Sequence, residues 1–359
     1  MWAMTVKEFR QLRRDHRTFA MMIVLPVLML VIFGYAANFT VSKISTVVVG
    51  PQAMTVAAQL KAPFRVVETD PKLGISTAKS RLLNGRAEAA FIAEPGTTQV
   101  LMDGTQLFST ETAEAALGRM AQAARASGTA SPLSFSILYN PRLNTSWVLV
   151  PGLAGLILVF IGTLITSLGV VRERQSGTLE QLAVMPLRPW DVIAGKIVPY
   201  FIVASLDLIV IIAVGILLFG VPFVGNVAVF ALGAVFFLLV TLGMGVLIST
   251  ISQNQGQAIQ LAFMVMLPQI LLSGLIFPIS SMAVGVRWIS YILPLTYFID
   301  ISRGVMLKGM SIAALLEPMV LLAILAIVVL ALAMLRFRRD LAPSSRRYQS
   351  AMAETRVTA

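Results

Sequence analysis

Six long apolar runs constrain the fold of this chain more than any other feature of its sequence. They carry almost no charged side chains, and they are Thr18–Ala37, Trp147–Val171, Val198–Phe219, Val224–Ile251, Ala258–Phe277 and about Leu315–Leu335. A helix of about 20 apolar residues is long enough to cross the hydrocarbon layer of a bilayer. The sequence therefore predicts an α-helical polytopic membrane protein with six transmembrane helices.

The composition supports the same class. Of the 359 residues, 57% are hydrophobic and 13% are charged, and the mean hydropathy is +0.84, whereas roughly a quarter of the residues of a soluble domain are charged. The net charge of +11 could indicate a nucleic-acid partner, but Lys and Arg lie beside the apolar runs, where they set topology and contact membrane lipid. With no Cys and a single histidine, His16, we expect no disulfide and no Cys- or His-based metal site.

Residues 1–17 form a basic segment ahead of the first run. Trp2, Val6 and Phe9 recur at helical spacing, which predicts a cytoplasmic amphipathic helix in the membrane interface. A basic segment followed by an apolar run is also typical of a cleaved signal peptide. The apolar part of a signal peptide has about 7–15 residues, and Thr18–Ala37 is longer, which favours an uncleaved first transmembrane helix.

Residues 38–144 have the composition of a soluble domain. Turn residues and apolar alternation predict strands at Lys43–Val49, Phe64–Val67, Ala89–Ala93 and Gln99–Met102, and helices at Leu73–Asn84 and Glu111–Ser127. The sequence therefore predicts a mixed α/β domain inserted between transmembrane helices 1 and 2.

The distribution of Lys and Arg predicts the orientation of the chain. With the N-terminus inside, the inner segments are 1–17, 172–197, 252–257 and 336–359, and three of these four carry basic clusters. Short cytoplasmic loops carry such an excess, whereas a long loop crosses the membrane regardless of its charge. We expect both termini in the cytoplasm, an extracytoplasmic α/β domain, transmembrane helices 2–6 within 145–335, and a basic cytoplasmic tail.

Residues 278–317, between the fifth and sixth runs, are too apolar for an exposed loop. Arg287 and Asp300 argue against a full crossing of the membrane. A re-entrant or interfacial pair of short helices at about 278–297 fits the pattern. Its aromatic residues, Tyr297 among them, would anchor it at the membrane interface.

The polar stretch between the second and third runs predicts a short amphipathic helix. Thr178–Gln181 matches a capping box, and Pro186 and Pro189 end the helix after about two turns. Leu179 and Leu182 share one face of it. Because this helix lies between two membrane spans and has no core of its own, we expect it to lie on the bilayer surface or on a partner protein.

The sequence lacks the common catalytic motifs. It has no G-x-x-x-x-G-K-[ST] loop, no H-E-x-x-H and no G-x-S-x-G, so we expect a protein that is not an enzyme. Asp207 is the one acidic residue well inside an apolar run. An ionisable residue at such a position indicates an intramembrane polar site for a proton or cation. The alternatives are a hydrogen bond to Ser205 and a contact with another helix. Glycines such as Gly155 and Gly245 permit close helix approach, within the chain or in a dimer.

A set of short motifs extends along nearly the whole chain. They are Arg172–Leu182, Pro186–Trp190, Gly195-Lys196, Tyr139–Pro141, Val150–Gly152, Leu272–Gly274, Ile276–Pro278, Ile292–Tyr297 and Arg303-Gly304, with Gly85–Phe91 and Val100–Gly104 in the inserted region. In combination they resemble the ABC-2-type permeases, the membrane subunits of ATP-binding-cassette exporters. The last two are similar to the variant of that family with a large first extracellular loop.

The resemblance implies which residues would act in an exporter. The segment Gly177–Met185 would be the coupling helix that docks on a separate ATPase subunit, so ATP and Mg²⁺ would be bound by that partner and no cofactor by this chain. The residues implied in ATPase coupling are Glu173, Gly177, Thr178, Leu179, Glu180, Leu182, Pro186 and Arg188. The residues implied in a re-entrant gate are Gly274, Phe277, Pro278, Pro294, Tyr297 and Arg303.

The resemblance also implies partners and cargo. A second permease, identical or paralogous, would complete a dimer in the bacterial cytoplasmic (inner) membrane, and a periplasmic adaptor could bind the outer domain. The variant with a large first loop is commonly assigned to multidrug efflux, the export of drug-like or hydrophobic compounds. Two alternatives stay open: export of a polysaccharide or lipid-linked glycan, and a membrane-anchored binding or sensor protein.

Overall fold

In a computed structural model of the protein, the residues described are 27, 31, 41, 43–126, 133–176 and 189–341. Val27 and Val31, in the predicted first transmembrane helix, are helical. The rest of that run, the predicted N-terminal helix and the end of the basic tail lie outside the described residues. The predicted coupling helix lies outside them too.

The part of the chain before the second apolar run is built on a five-stranded sheet. Its strands are β1 (Ile44–Val49), β2 (Phe64–Asp70), β3 (Ala89–Glu94), β4 (Thr97–Asp103) and β5 (Leu133–Leu138), in the spatial order β2-β1-β3-β4-β5. Neighbouring strands are parallel except β3 and β4, which form an antiparallel pair. The helices between the strands are α1 (Ala53–Gln59), α2 (Ile75–Leu83) and α3 (Leu107–Ala126).

Both faces of the sheet bury apolar side chains. One face, which includes Val48 and Phe91, packs against α3, and the other face, which includes Val47 and Leu101, packs against α2. Successive residues of a strand point to opposite faces, so strands covered on both sides are apolar throughout. Each of the six elements predicted in this region overlaps an observed element, whereas α1 and β5 were not predicted.

Long apolar helices follow the sheet. They are α4 (Thr145–Gln175), α5 (Pro189–Phe219), α6 (Val227–Ile251), α7 (Gln255–Leu272) and, further along the chain, α10 (Leu316–Leu341). Within the described residues these five helices are long and apolar enough to cross a membrane. They correspond to the second to sixth predicted runs, and the first run stays a prediction.

Short helices connect α7 to α10. They are a 3-10 turn at Ile279–Ser281, α8 (Val284–Ser290) and α9 (Pro294–Met306). Short helices were predicted here, but α9 continues beyond the predicted boundary at about 297. Whether this region re-enters the membrane stays a prediction.

Two helix ends differ from the predicted runs. α7 ends at Leu272 rather than at Phe277, because Gly274 adopts a φ of 84°, the left-handed conformation that ends an α-helix. α6 begins after Asn226, whose side chain accepts a hydrogen bond from the N–H of Ala228 at 2.7 Å. A capped start of this kind fixes the first turn of a helix.

α6 lies at the centre of the helical bundle, where it contacts α4, α5, α7, α9 and α10. Phe237 of α6 stacks on Phe298 of α9, with ring centroids 4.2 Å apart. A Cβ atom added at Gly155 of α4 would lie 2.5 Å from the Phe298 ring, and one at Gly245 of α6 would lie 2.7 Å from Thr166. These glycines therefore permit close packing within the chain.

Candidate functional site

An ion pair joins the two helices that flank residues 177–188. Glu173, in the last turn of α4, pairs with Lys196 of α5. The Lys196 side chain is largely buried, and α5 begins at Pro189. Because the pair bridges both helices, it fixes the base of the segment between them.

The turn between α6 and α7 is bonded to the same end of α4. Nη1 of Arg174 donates to the carbonyl oxygen of Ser252 at 2.8 Å. Nε2 of Gln255 donates to Oε1 of Gln175 at 3.0 Å. Asn254 caps α7 with its side-chain oxygen. Backbone and amide groups of the turn therefore hold it against α4.

We call these bonded groups the polar end cluster, defined as Glu173, Arg174, Gln175, Lys196, Ser252 and Gln255. Of the residues predicted to couple to an ATPase, Glu173 belongs to this cluster. The others lie outside the described residues, and they are Gly177, Thr178, Leu179, Glu180, Leu182, Pro186 and Arg188. The cluster therefore joins α4, α5, α6 and α7 at one end.

Arg303 of α9, the charged member of the predicted gate, is 9% exposed. Its Nε donates to the carbonyl oxygen of Val148 in α4 at 3.0 Å. Its Nη1 and Nη2 donate to the carbonyl oxygens of Gly274 and Leu275 at 3.4 and 3.5 Å. The planar fork of guanidinium donors suits several acceptors at once. Arg303 thus holds α9 to α4 and to the turn that follows α7.

The remaining gate residues lie around the same short helices. Pro294 is the first residue of α9, where its missing N–H leaves no helical bond unmade. Phe277 is buried in an apolar cluster at the end of α7, and Pro278 directly precedes the 3-10 turn. The structure therefore places all the predicted gate residues in one region, while their role stays a prediction.

We call the five strands β1 to β5 with the helices α1 to α3 the sheet region. A cavity of about 320 Å³ lies between this region, the short helices and α10. The polar residues that line it are Tyr291, Thr296, Tyr297, Asp300, Arg303, Lys308 and Glu317 from the helices and the loops between them, and Asn84, Thr105 and Gln106 from the sheet region. The hydroxyl of Tyr297 donates to the carbonyl oxygen of Tyr291 at 2.5 Å, and the side chain is largely buried. Tyr297 therefore packs inside the fold, and its role as an anchor at the membrane interface stays a prediction.

Lys308, in the loop after α9, joins the helices to the sheet. Its Nζ pairs with the carboxylate of Asp103 at the end of β4 and donates to the carbonyl oxygen of Leu82 at 3.3 Å. The ammonium also lies 5.6 Å from the centre of the Tyr139 ring. Sequence reasoning missed this contact. The available signal was a lone lysine between two apolar helices, which alone does not identify its partner.

Two groups beside this ion pair have raised pKa values. Burial raises the pKa of Tyr139 to about 12, and the charge of Asp103 adds to the shift. Burial likewise raises the pKa of Glu88, and the charge of Asp103 acts in the same direction, while Ser109 and Lys308 lower it. A second negative charge beside Asp103 is therefore unfavourable at this end of the sheet. The ammonium of Lys308 compensates the negative charge of Asp103.

Asp207 lies near the middle of α5, within a candidate membrane span, and is partly exposed. Among the described residues it has no hydrogen-bond or ion-pair partner. The hydroxyl of Ser205 donates instead to the carbonyl oxygen of Phe201 at 2.7 Å. In the described part of the chain, His, Asp and Glu do not form a group of three that could hold a metal ion.

Comparison with known proteins identifies relatives along the chain. Residues 16–335 match the family described as ABC-2 family transporter protein. The chain is 31% identical over 340 residues to the probable multidrug ABC transporter permease YbhR of Escherichia coli K12, covering 87% of this chain and 91% of that protein. It is 29% identical over 366 residues to the probable multidrug ABC transporter permease YbhS of the same strain, covering 94% and 97%. It is also 29% identical over 209 residues to the inner membrane transport permease YhhJ, covering 56% and 54%.

The family match spans both the sheet region and the long apolar helices. The alignments with YbhR and YbhS cover most of this chain and most of each relative. ABC-2 permeases work with an ATP-binding cassette subunit, and the resemblance that the short motifs indicated is confirmed. The chain belongs to the ABC-2 transporter family and is a multi-pass membrane permease subunit of an ABC exporter.

Proposed function

We propose that this chain is one half of the membrane part of an exporter for drug-like or hydrophobic compounds. Two permeases, identical or paralogous, pair with two ATPase subunits that bind ATP and Mg²⁺. Closure of the ATPases moves segment 177–188, and the two helical bundles rock to move the cargo outward. This is a rigid-body switch between two states that nucleotide binding biases.

The polar end cluster is the observation that carries this proposal. The cluster ties the base of segment 177–188 to four apolar helices through an ion pair and side-chain hydrogen bonds. A displacement of this segment that reaches either flanking helix is therefore passed to the other helices of the cluster. The capping box and apolar face predicted for the segment suit docking on another polypeptide.

The proposed orientation places the polar end cluster in the bacterial cytoplasm. Arg172, Arg174 and Lys196 lie at this end, and basic residues are enriched in cytoplasmic loops. The chain then has six transmembrane helices, Thr18–Ala37 being the first, both termini in the cytoplasm, and the sheet region as an extracytoplasmic α/β domain. In a cell with an outer membrane, this domain is available to a periplasmic adaptor.

The names of two relatives and the motifs of the sheet region support the proposed cargo. YbhR and YbhS are named probable multidrug permeases, and the motifs of the sheet region resemble the multidrug variant. A screen for compounds that stimulate the ATPase of the complex in liposomes tests this proposal. Stimulation by apolar drug-like compounds supports it, whereas stimulation by glycans alone contradicts it.

The coupling role is tested by Glu180→Lys in a complex purified with its cognate ATPase. The matched control is Glu114→Lys, which makes the same charge change on an exposed position of α3. We expect Glu180→Lys to reduce co-purification or drug-stimulated ATP hydrolysis, because it reverses a charge at the docking surface, and Glu114→Lys to change neither. Equal coupling in both variants contradicts the assignment of this segment.

A further inference from the structure

The ion pair between Lys308 and Asp103 is almost completely enclosed. The side chains are 7% and 2% exposed, respectively. Removing two charges from water is costly, and a buried pair is stable only where the geometry is good and further hydrogen bonds satisfy the charged groups. Here the additional acceptor for Lys308 is the carbonyl oxygen of Leu82, at the end of α2. The lysine therefore reaches from the helices into the sheet region.

Asp103 is held rigidly on the sheet side. Its Oδ1 accepts hydrogen bonds from the N–H and the hydroxyl of Thr105 at 3.0 and 2.7 Å. Its backbone oxygen accepts from the Thr110 hydroxyl at 3.0 Å, and Asn140 donates to the adjacent Gly104 oxygen at 3.2 Å. Groups of the sheet region therefore hold the carboxylate in position together with Lys308, and the pair fixes how the sheet packs on the helices.

The same contact borders the cavity of about 320 Å³. Lys308 lines that cavity, and the wall supplied by the sheet region consists of Asn84, Gly85, Thr105 and Gln106. Asn84 and Gly85 follow α2, whose end Lys308 contacts, and Thr105 is bonded to Asp103. Both segments of this wall are therefore held in place by the ion pair.

We propose that Asp103 and Lys308 are positioning residues for export, which seat the sheet region on the helices and hold it as one wall of the cavity. The cavity already has an open side, where Tyr291 and Glu317 are exposed. Separation of the pair moves the wall on the sheet side and widens this opening to the outer aqueous phase during the transport cycle. Arg303 lines the same cavity and is bonded to α4, so a displacement of α4 reaches it directly. The inference rests on the proposed export function and orientation.

A cysteine in the cavity reports its accessibility, because the natural chain has no Cys. Ala314→Cys lines the cavity, and Glu114→Cys lies on an exposed position of α3 in the sheet region. The double variant Asp103→Asn/Lys308→Gln removes both charges of the pair with little change of shape, so neither partner is left as an unpaired buried charge. The single variants are avoided because an uncompensated buried charge can prevent folding.

The measurement is the labelling rate of Ala314→Cys by a membrane-impermeant maleimide in intact cells. We expect several-fold faster labelling in the double-variant background than with the native pair, and an equal rate at Glu114→Cys in both. An unchanged rate at Ala314→Cys overturns the proposal, provided that Glu114→Cys is labelled. Absence of labelling at Glu114→Cys instead contradicts the proposed orientation of the chain.

A second readout separates positioning from a purely structural role. In the ATPase complex in proteoliposomes, labelling of Ala314→Cys should accelerate when ATP and Mg²⁺ are added to the protein with the native pair. In the double variant, labelling should be fast with or without nucleotide. A nucleotide-independent rate with the native pair, in a complex that hydrolyses ATP and exports cargo, overturns the proposal and leaves the export function intact.

Discussion

Arg303 illustrates how a single side chain organises the region after α7. Gly274 and Leu275 lie beyond the end of that helix, so their carbonyl oxygens have no partner in an i to i−4 ladder. The guanidinium supplies donors to both and to Val148. The resemblance implied Arg303 as a gate residue, but these acceptors are backbone atoms far away in the chain, which a side-chain motif does not identify.

We expect Arg303→Ala to lower the free energy of unfolding by about 1–3 kcal/mol, because buried acceptors lose their donors. Arg303→Lys should recover only part of this loss, since one ammonium cannot reproduce the planar fork. Thermal unfolding of the purified protein in detergent measures the effect. Arg142→Ala, at an exposed position, is the control and should leave the midpoint unchanged; equal midpoints for all three variants contradict the anchoring role.

Glu88 gives a prediction about pH. Burial raises its pKa in the folded protein above the unfolded value of about 4.3, so its ionisation costs stability as the pH rises through the folded pKa. Glu88→Gln removes this cost. We therefore expect the variant to unfold at a higher temperature than the natural protein at about pH 8, and the difference to vanish below about pH 4.

The control for this prediction is Glu111→Gln, an exposed position on α3. It removes the same charge outside the buried site and should leave the unfolding temperature unchanged. A lower unfolding temperature for Glu88→Gln than for the natural protein at about pH 8 would mean that the ionised carboxylate stabilises the fold, contrary to the pKa shift.

At the scale of elements, small residues decide how closely the helices pack. Gly155 of α4 lies against the Phe298 ring, which in turn stacks on Phe237 at the centre of the bundle. Gly118 of α3 provides a contrast, since an added Cβ atom there would meet nothing within 4 Å. A substitution at Gly155 therefore tests the role of a glycine in helix packing. A substitution at Gly118 tests only the backbone entropy that a glycine loses in a helix.

We expect Gly155→Ala to destabilise the protein by about 1–3 kcal/mol through overpacking. Gly118→Ala should stabilise it by about 0.5–1 kcal/mol, because alanine loses less conformational freedom in a helix. Denaturant or thermal unfolding in detergent compares both with the natural protein. Stabilisation by Gly155→Ala would show that the α4–α9 contact is looser than described.

Local sequence patterns predict helices and strands well where the apolar residues follow a single pattern. The apolar runs predict the long helices, and alternating residues followed by turns predict strands such as β1 and β3. The strand β5 was missed because its alternation is short and its identity depends on parallel pairing with β4. The helix end at Leu272 was missed because one left-handed glycine overrides an apolar run that continues to Phe277.

Contacts between elements that are far apart in the chain could not be predicted from the sequence. Asp103 and Lys308 are 205 positions apart, and Arg174 and Ser252 are 78 apart. No local pattern encodes either pair, because each arises from the packing of elements that pair only in the folded chain. The predicted site residues of segment 177–188 come from the resemblance and lie outside the described residues.

At the scale of the whole molecule, α4 connects the polar end cluster with the region around Arg303. Its 31 residues span about 46 Å at 1.5 Å per residue, whereas the hydrocarbon layer is about 30 Å thick. One end follows Asn140 and the sheet, and the other end carries Glu173 and Arg174 of the polar end cluster. We expect a displacement at the cluster to be transmitted along this helix, which contains Pro151 in its second turn, to Val148, the Arg303 anchor and the sheet.

The most direct test of the export account is a photo-crosslinking amino acid at Leu182, in the complex with its cognate ATPase. The control is the same amino acid at Leu206, an exposed position of α5 in a candidate membrane span. We predict that Leu182 crosslinks to the ATPase subunit and Leu206 to lipid. Crosslinks from Leu182 to lipid alone, in a complex that contains the ATPase, would contradict the account.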